Sequence, residues 1–254
     1  SLRRMSASSA AASAASSAAA SRASASSCRA AAALARAQRD EQAEESRRQQ
    51  AKGRQEQQHQ AAARQADAAL ASGATPGPLH GVPMAHKDMY YRAGKVSTCG
   101  AAIRRDFVAD RTSTVMERLD AAGAIDFGTL HMTEFAASPT GLNDHFGPCR
   151  NPWNTDHVTG GSSSGSAAAT AARLVHGSMG SDTGASVRLP AAICGVVGLK
   201  PTYGRISAYG AMPRAWSLDA VGPLARNARD CARMASVVAG RDANDPATST
   251  EPVP

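Results

Sequence analysis

Residues 160–166 read GGSSSGS, three serines between glycines, and a serine held on a tight turn is a candidate nucleophile once a base can take its proton. Gly and Ser are also what flexible linkers contain, but an Ala-rich helical stretch follows at once and the flanks stay apolar. A phosphate-cradling loop of the GxxxxGK[ST] kind is excluded, since no lysine stands between Lys95 and Lys200. Gly161–Gly165 matches a GxSxG nucleophile elbow with Ser163 at its centre, a motif that requires an acid and then a histidine downstream. The last histidine is His176, only 13 residues on, so that triad cannot be completed here. A lysine can replace the histidine as base. Of the four lysines (Lys52, Lys87, Lys95 and Lys200), Lys87 sits among apolar neighbours in GVPMAHKDMYY. A base must be neutral, and moving a lysine from its ordinary value near 10.4 to about 7 takes roughly 4–5 kcal/mol, which burial can supply. The bland alternative is a lysine snorkelling to the surface beside Asp88, and spacing alone leaves both readings open.

The elements that would carry these groups read as α/β. Thr112–Ala122 has Val115, Met116 and Leu119 on one helical face and stops at Gly123. Ala124–Leu130 and His176–Ser181 are strand-like, Ala167–Val175 is a helix springing from the serine loop, and Arg226–Ala239 is a helix stopped by Gly240. Ala191–Leu199 is apolar throughout and is expected to be buried. The final DANDPATSTEPVP is polar and Pro-rich and reads as a linker cut open.

Composition separates this part from what precedes it. All ten Phe, Trp and Tyr residues lie at or after Tyr90. Residues 1–60 carry ten Arg or Lys against five Asp or Glu, while the rest carry 18 against 16. The basic balance therefore belongs to a tail, and direct nucleic-acid binding by the folded part is not indicated. Residues 1–39 are nearly all Ser, Ala and Arg, a low-complexity stretch that also has the composition of an organellar transit peptide. Residues 40–58 are charged and Gln-rich with little to bury, and an Ala-rich helical pattern starts at Ala61 and stops at Gly73. The domain is placed at 61–254 behind a tail of 1–60, its packed part starting near Pro76. Five cysteines without CxxC spacing argue against a disulfide framework or zinc site, and for a reducing, cytoplasmic compartment unless the tail directs import. No apolar run reaches membrane-span length.

GPLHGVPMAHKD, GGSSSGSAAATAA and SDTGASVRLPAAICGVVGLKPTYGRISAYG follow one another in an order that strongly resembles the amidase signature family, as do FGTLHMTEFAASPTGLNDHFGPCRNPWN and SLDAVGPLAR. The resemblance covers about residues 76–245. It implies a mixed β-sheet flanked by helices, of which this chain holds about the N-terminal half, and a Ser–cis-Ser–Lys triad. Ser186 corresponds to the nucleophile, Ser162 to the serine behind a cis peptide bond, and Lys87 to the base. The N–H groups of Thr183, Gly184, Ala185 and Ser186 correspond to the oxyanion hole. Asp182 and Arg188 are read as holding the nucleophile loop together, and Ser163 as a further support. Two departures stand out. Ala185 replaces the commoner glycine, harmless at negative φ and strained at positive φ, and His86 precedes the lysine where an apolar residue is usual. His131 and His145 have no metal-like spacing and are read as ordinary polar residues.

The implied activity is hydrolysis of a small-molecule amide with no metal or cofactor; the oligomeric state is left open. Some family members instead serve as the A subunit of a glutamyl-tRNA amidotransferase, which would need partner chains. GAMPRAWSLDAVGPLAR is more similar to the stand-alone amidases. A non-catalytic scaffold is the competing reading from another class.

Overall fold

The structure, a computed structural model, describes residue 36 and residues 53–253. The expectations for residues 1–35 and 37–52, Cys28 included, lie outside the described residues. A compact unit covers His59–Pro254. Helix α1 (53–71) leads into it and meets strand β2 (Ile125–Leu130), where the His59 ring stacks on Phe127 with centroids 4.2 Å apart.

Five strands form one sheet in the order β2–β1–β5–β7–β6, with β1 at Pro83–Lys87, β5 at Gly177–Asp182, β6 at Val197–Gly198 and β7 at Ala220–Ala225. Strand β1 is parallel to both β2 and β5, whereas β7 runs antiparallel to β5 and to β6. The fold is thus the mixed α/β arrangement expected. Strands β3 (Arg150–Asn151) and β4 (Asn154–Val158) make a separate small hairpin. Because β1 is hydrogen-bonded on both edges and covered on both faces, it takes whatever its sequence carries into the interior, His86 and Lys87 included.

Side chains alternate across β7 and join two separate apolar clusters. Val221 and Ala225 join the larger one, with Val115, Met116 and Leu119 of helix α2 (Thr114–Ala121) and Met234 and Val238 of helix α5 (Ala228–Val238). Leu224 packs on the other side with Ala167 of helix α3 (Ser164–Ala171) and Ala191 and Cys194 of helix α4 (Arg188–Cys194). Contact under α5 is close enough that a Cβ on Gly177 would lie 2.4 Å from the Met234 sulfur. Helix α3 starts three residues earlier than its Ala run implies and ends at Ala171, ahead of Arg173 at φ 61°.

Two expectations fail. Ala191–Leu199 is not buried throughout: in α4 the helical period turns Ala191 and Cys194 inward and leaves Ile193 39% exposed, and Leu199 beyond the edge strand β6 is 37% exposed. Nor is 242–254 a linker. Asp242 is buried and accepts from Thr114 Oγ1 at 2.5 Å and Ser207 Oγ at 2.6 Å, and the Thr248 hydroxyl accepts from its N–H at 2.9 Å. Arg205 reaches the carbonyls of Glu251 and Pro252, which fixes the segment against the body. No helix among the described residues is long and apolar enough to cross a membrane.

Candidate active site

Lys87 ends β1, and its side chain is fully buried. Its Nζ donates to Ser162 Oγ at 2.6 Å and to Ser181 Oγ at 2.9 Å. Burial drops its pKa from 10.5 to about 7, against the opposing pull of the Asp182 and Asp219 carboxylates. A substantial share of the lysine is therefore neutral near pH 7, with a lone pair able to accept a proton.

The serine loop leads into α3. The Gly161–Ser162 peptide is cis. A side chain at Gly161 has no room, since its Cβ would lie 2.8 Å from the Ser138 carbonyl oxygen. Ser162 is wholly buried, and its carbonyl accepts from Thr133 N. Ser163 turns away from Lys87: its hydroxyl donates to Ser181 O and accepts from Ser181 N, both at 3.2 Å, which ties the loop to β5.

From β5 the chain enters a loop wrapped around one carboxylate. Asp182 is buried and accepts from the N–H groups of Ala185 (2.8 Å), Val187 (3.1 Å) and Arg188 (3.3 Å), and from Arg188 Nε and Nη2 at 3.0 and 2.9 Å. Burial alone would push its pKa up, but these bonds outweigh it and hold the carboxyl below its ordinary value. Of the four N–H groups expected to form an oxyanion hole, that of Ala185 donates to Asp182. The N–H groups of Thr183, Gly184 and Ser186 donate to no other described residue. Ala185 lies at φ 80°, in the region that favours glycine, so the strained alternative applies. Ser186 is brought to the serine loop through its carbonyl, which accepts from Ser163 N at 3.2 Å. Its hydroxyl makes no hydrogen bond with another described residue.

His86 does not join this cluster. Neighbours on a strand point to opposite faces, and its ring meets Asp126 at 3.0 Å, while Arg92 takes the other carboxylate oxygen at 2.6 Å. Asp88 is a local anchor and not a surface ion-pair partner, bound by the Thr98 hydroxyl and N–H. Two contributors were missed in the sequence. Ser181 is the second acceptor for Lys87, and its place in SDTGAS was the available signal. Asp219 binds the Thr183 hydroxyl, and nothing in its spacing pointed to it. A cavity of about 560 Å³ opens beside Ser181, with Met89, Met212, Trp216 and Asp219 also in its walls. Among the described residues no group of three His, Cys, Asp or Glu side chains is arranged to hold a metal ion.

A buried lysine bonded to two serines, with a third serine on an adjoining loop, is a set of groups suited to moving a proton from hydroxyl to amine. The model of the family described as Amidase matches residues 54–254, and the chain belongs to this family, the amidase signature proteins. Among curated relatives it is 54% identical over 189 residues to the A subunit of the glutamyl-tRNA(Gln) amidotransferase of Bordetella avium, covering 74% of this chain and 37% of that one. The corresponding A subunit of Azotobacter vinelandii is 52% identical over 191 residues, 75% of this chain and 39% of its own. A solved peptide amidase from Stenotrophomonas maltophilia superposes with a TM-score of 0.72 at 38% identity, over 76% of this chain and 41% of that chain. The solved amidotransferase A subunit from Thermotoga maritima gives 0.68 at 42% identity, over 70% and 40%. The chain thus spans about two-fifths of the length of the curated relatives it matches.

Proposed function

We propose that the protein hydrolyses carboxylic amides through Lys87, Ser162 and Ser186. The observation that carries this reading is the 2.6 Å contact between Lys87 Nζ and Ser162 Oγ in a site that keeps the lysine pKa about 7. Neutral Lys87 takes the Ser162 proton while Ser162 takes that of Ser186, and the Ser186 oxygen attacks the amide carbon. The N–H groups of Thr183, Gly184 and Ser186 receive the developing oxyanion. The C–N bond then breaks as the proton returns through Ser162 to the departing nitrogen, leaving an acyl-serine. Water, deprotonated along the same path, releases the acid and restores Ser186. The steps need no cofactor, and the substrate is a small-molecule amide. The unpaired thiols of Cys99, Cys149, Cys194 and Cys231 fit a reducing, cytoplasmic setting.

A second reading, the A subunit of a glutamyl-tRNA amidotransferase, is favoured by the 50–54% identity to proteins of that name. In it the same acyl-enzyme chemistry acts on a glutamine side chain. The test is labelling of the purified chain with a fluorophosphonate, read by mass spectrometry, beside ammonia release from glutamine and from simple aliphatic amides. A single adduct on Ser186 that is absent from Lys87→Ala supports the triad. Turnover of simple amides favours the first reading, turnover of glutamine alone the second, and a folded protein that takes no adduct overturns both.

A further inference from the structure

We infer that His131 caps helix α3 from outside and so positions Ser162, an inference that rests on the serine–lysine reading above. The first turn of a helix has N–H groups with no partner inside the helix, and a side chain at the N-cap ordinarily takes one of them. Ser163 is the N-cap of α3, but its side chain caps nothing, being spent on Ser181 of β5. His131 supplies what is missing. Its main-chain carbonyl accepts from Gly165 N at 2.9 Å, and its ring Nδ1 lies 2.7 Å from Ser164 Oγ, which also has that carbonyl as a longer acceptor at 3.3 Å.

The tautomer follows from the other ring nitrogen. Nε2 is 2.8 Å from the Gly147 carbonyl oxygen, which can only accept, so Nε2 carries the proton and Nδ1 accepts from the Ser164 hydroxyl. The neutral ring also suits its place, since a cation at a helix N-terminus opposes the helix dipole. The fit is tight: a Cβ on Gly165 would lie 2.5 Å from His131 N. Two residues further on, Thr133 N donates to Ser162 O at 3.3 Å. Segment 131–133 therefore grips 162–165 at the serine's own carbonyl, at the hydroxyl of Ser164 and at the N–H of Gly165. The segment is in turn held by Asn143 Nδ2, which donates to Met132 O at 3.0 Å and Gly100 O at 2.8 Å. His131 touches no reacting atom; it is a positioning residue, acting through Ser164 and the start of α3.

The two bonds of the ring can be separated by substitution. An asparagine at 131 places an acceptor where Nδ1 stands and keeps the Ser164 bond while losing Gly147. A glutamine places its amide where Nε2 stands and keeps Gly147 while losing the 2.7 Å ring acceptor, leaving the Ser164 hydroxyl only the main-chain carbonyl at 3.3 Å. The full chain is compared as wild type, His131→Asn and His131→Gln by the rate of fluorophosphonate labelling at Ser186 and by hydrogen exchange of the peptide spanning 160–171. The expected result is a rate within about threefold of wild type for Asn and at least tenfold slower for Gln, with faster exchange at 160–171 in Gln alone. Equal rates and equal exchange in the two variants, or a greater loss in Asn, would overturn the assignment. The exchange measurement decides the clamp even in a protein that takes no label. Failure of the labelling itself, with exchange behaving as expected, falls on the functional reading and leaves the clamp standing.

Discussion

Lys87 and Ser162 lie at 0% exposure with their polar atoms bonded to one another, and Gly161 beside them is so crowded that a methyl group would strike the Ser138 carbonyl. The loop from Thr183 to Ser186 is built the other way. Gly184 has open space where a side chain would be, three N–H groups donate to nothing in the described chain, and the Ser186 hydroxyl is unengaged. Its shape depends on one carboxylate, Asp182, pulling in three N–H groups and a guanidinium. Under the proposed mechanism the base end is finished before any substrate arrives, because burial must set the lysine pKa in advance. Under the same proposal the nucleophile end leaves its donors open for an oxygen that arrives with the substrate.

That contrast fails first if the buried end is dispensable. Lys87→Ala is expected to lower the Ser186 labelling rate by about 10²–10⁴-fold, the usual worth of a positioned base, with the fold retained by circular dichroism. The pH dependence carries the same claim. A base with a pKa about 7 makes the wild-type rate fall about tenfold per pH unit below that value and level off above it. The same shift has a thermodynamic consequence. The folded pKa lies below 10.5, so the unfolded chain binds the extra proton between the two values and stability rises with pH through that window. Chemical denaturation from pH 7 to 10 should show this rise in wild type and a shallower slope in Lys87→Met.

On the open side the effects should be smaller. Asp182→Ala leaves the N–H groups of Ala185, Val187 and Arg188 without their acceptor and should cost about 2–3 kcal/mol. A melting-temperature drop of several degrees and about tenfold slower labelling would follow; an unchanged melting temperature would show that the loop does not need its carboxylate. The smallest effect is expected at residue 185. Ala185→Gly relieves a backbone that disfavours a Cβ by about 1–2 kcal/mol, offset in part by the greater freedom of glycine in the unfolded chain. The net gain should be under about 1 kcal/mol, with labelling two- to threefold faster. Slower labelling would mean that the Ala185 methyl group shapes the loop usefully.

Legibility in the sequence followed the range of the interactions. Helices α2 and α5 could be read because each has a local apolar face and a glycine stop, Gly123 at φ 85° and Gly240 at φ 112°. The candidate lysine and serines could be read as reactive types, although only the family resemblance joined Lys87 to a serine 75 positions away. His131 looked ordinary because its partner Ser164 lies 33 residues on, and no local pattern marks an external helix cap. That the Ala185 N–H is taken by Asp182 escaped the sequence for a related reason. Which N–H groups stay free depends on where the Asp182 side chain turns, and that is decided by tertiary structure.

The buried Asp242 bears on where this chain can be cut. Composition recommends truncation at residue 241, ahead of a run that resembles a tether. Such a cut would strip Thr114 and Ser207 of a shared acceptor, and would leave the three carbonyls that Arg118 grips, those of Val238, Gly240 and Arg241, at a fraying end. For protein engineering, the segment that looks most expendable behaves as a latch, and a shortened version ending at 241 should be recovered as insoluble material.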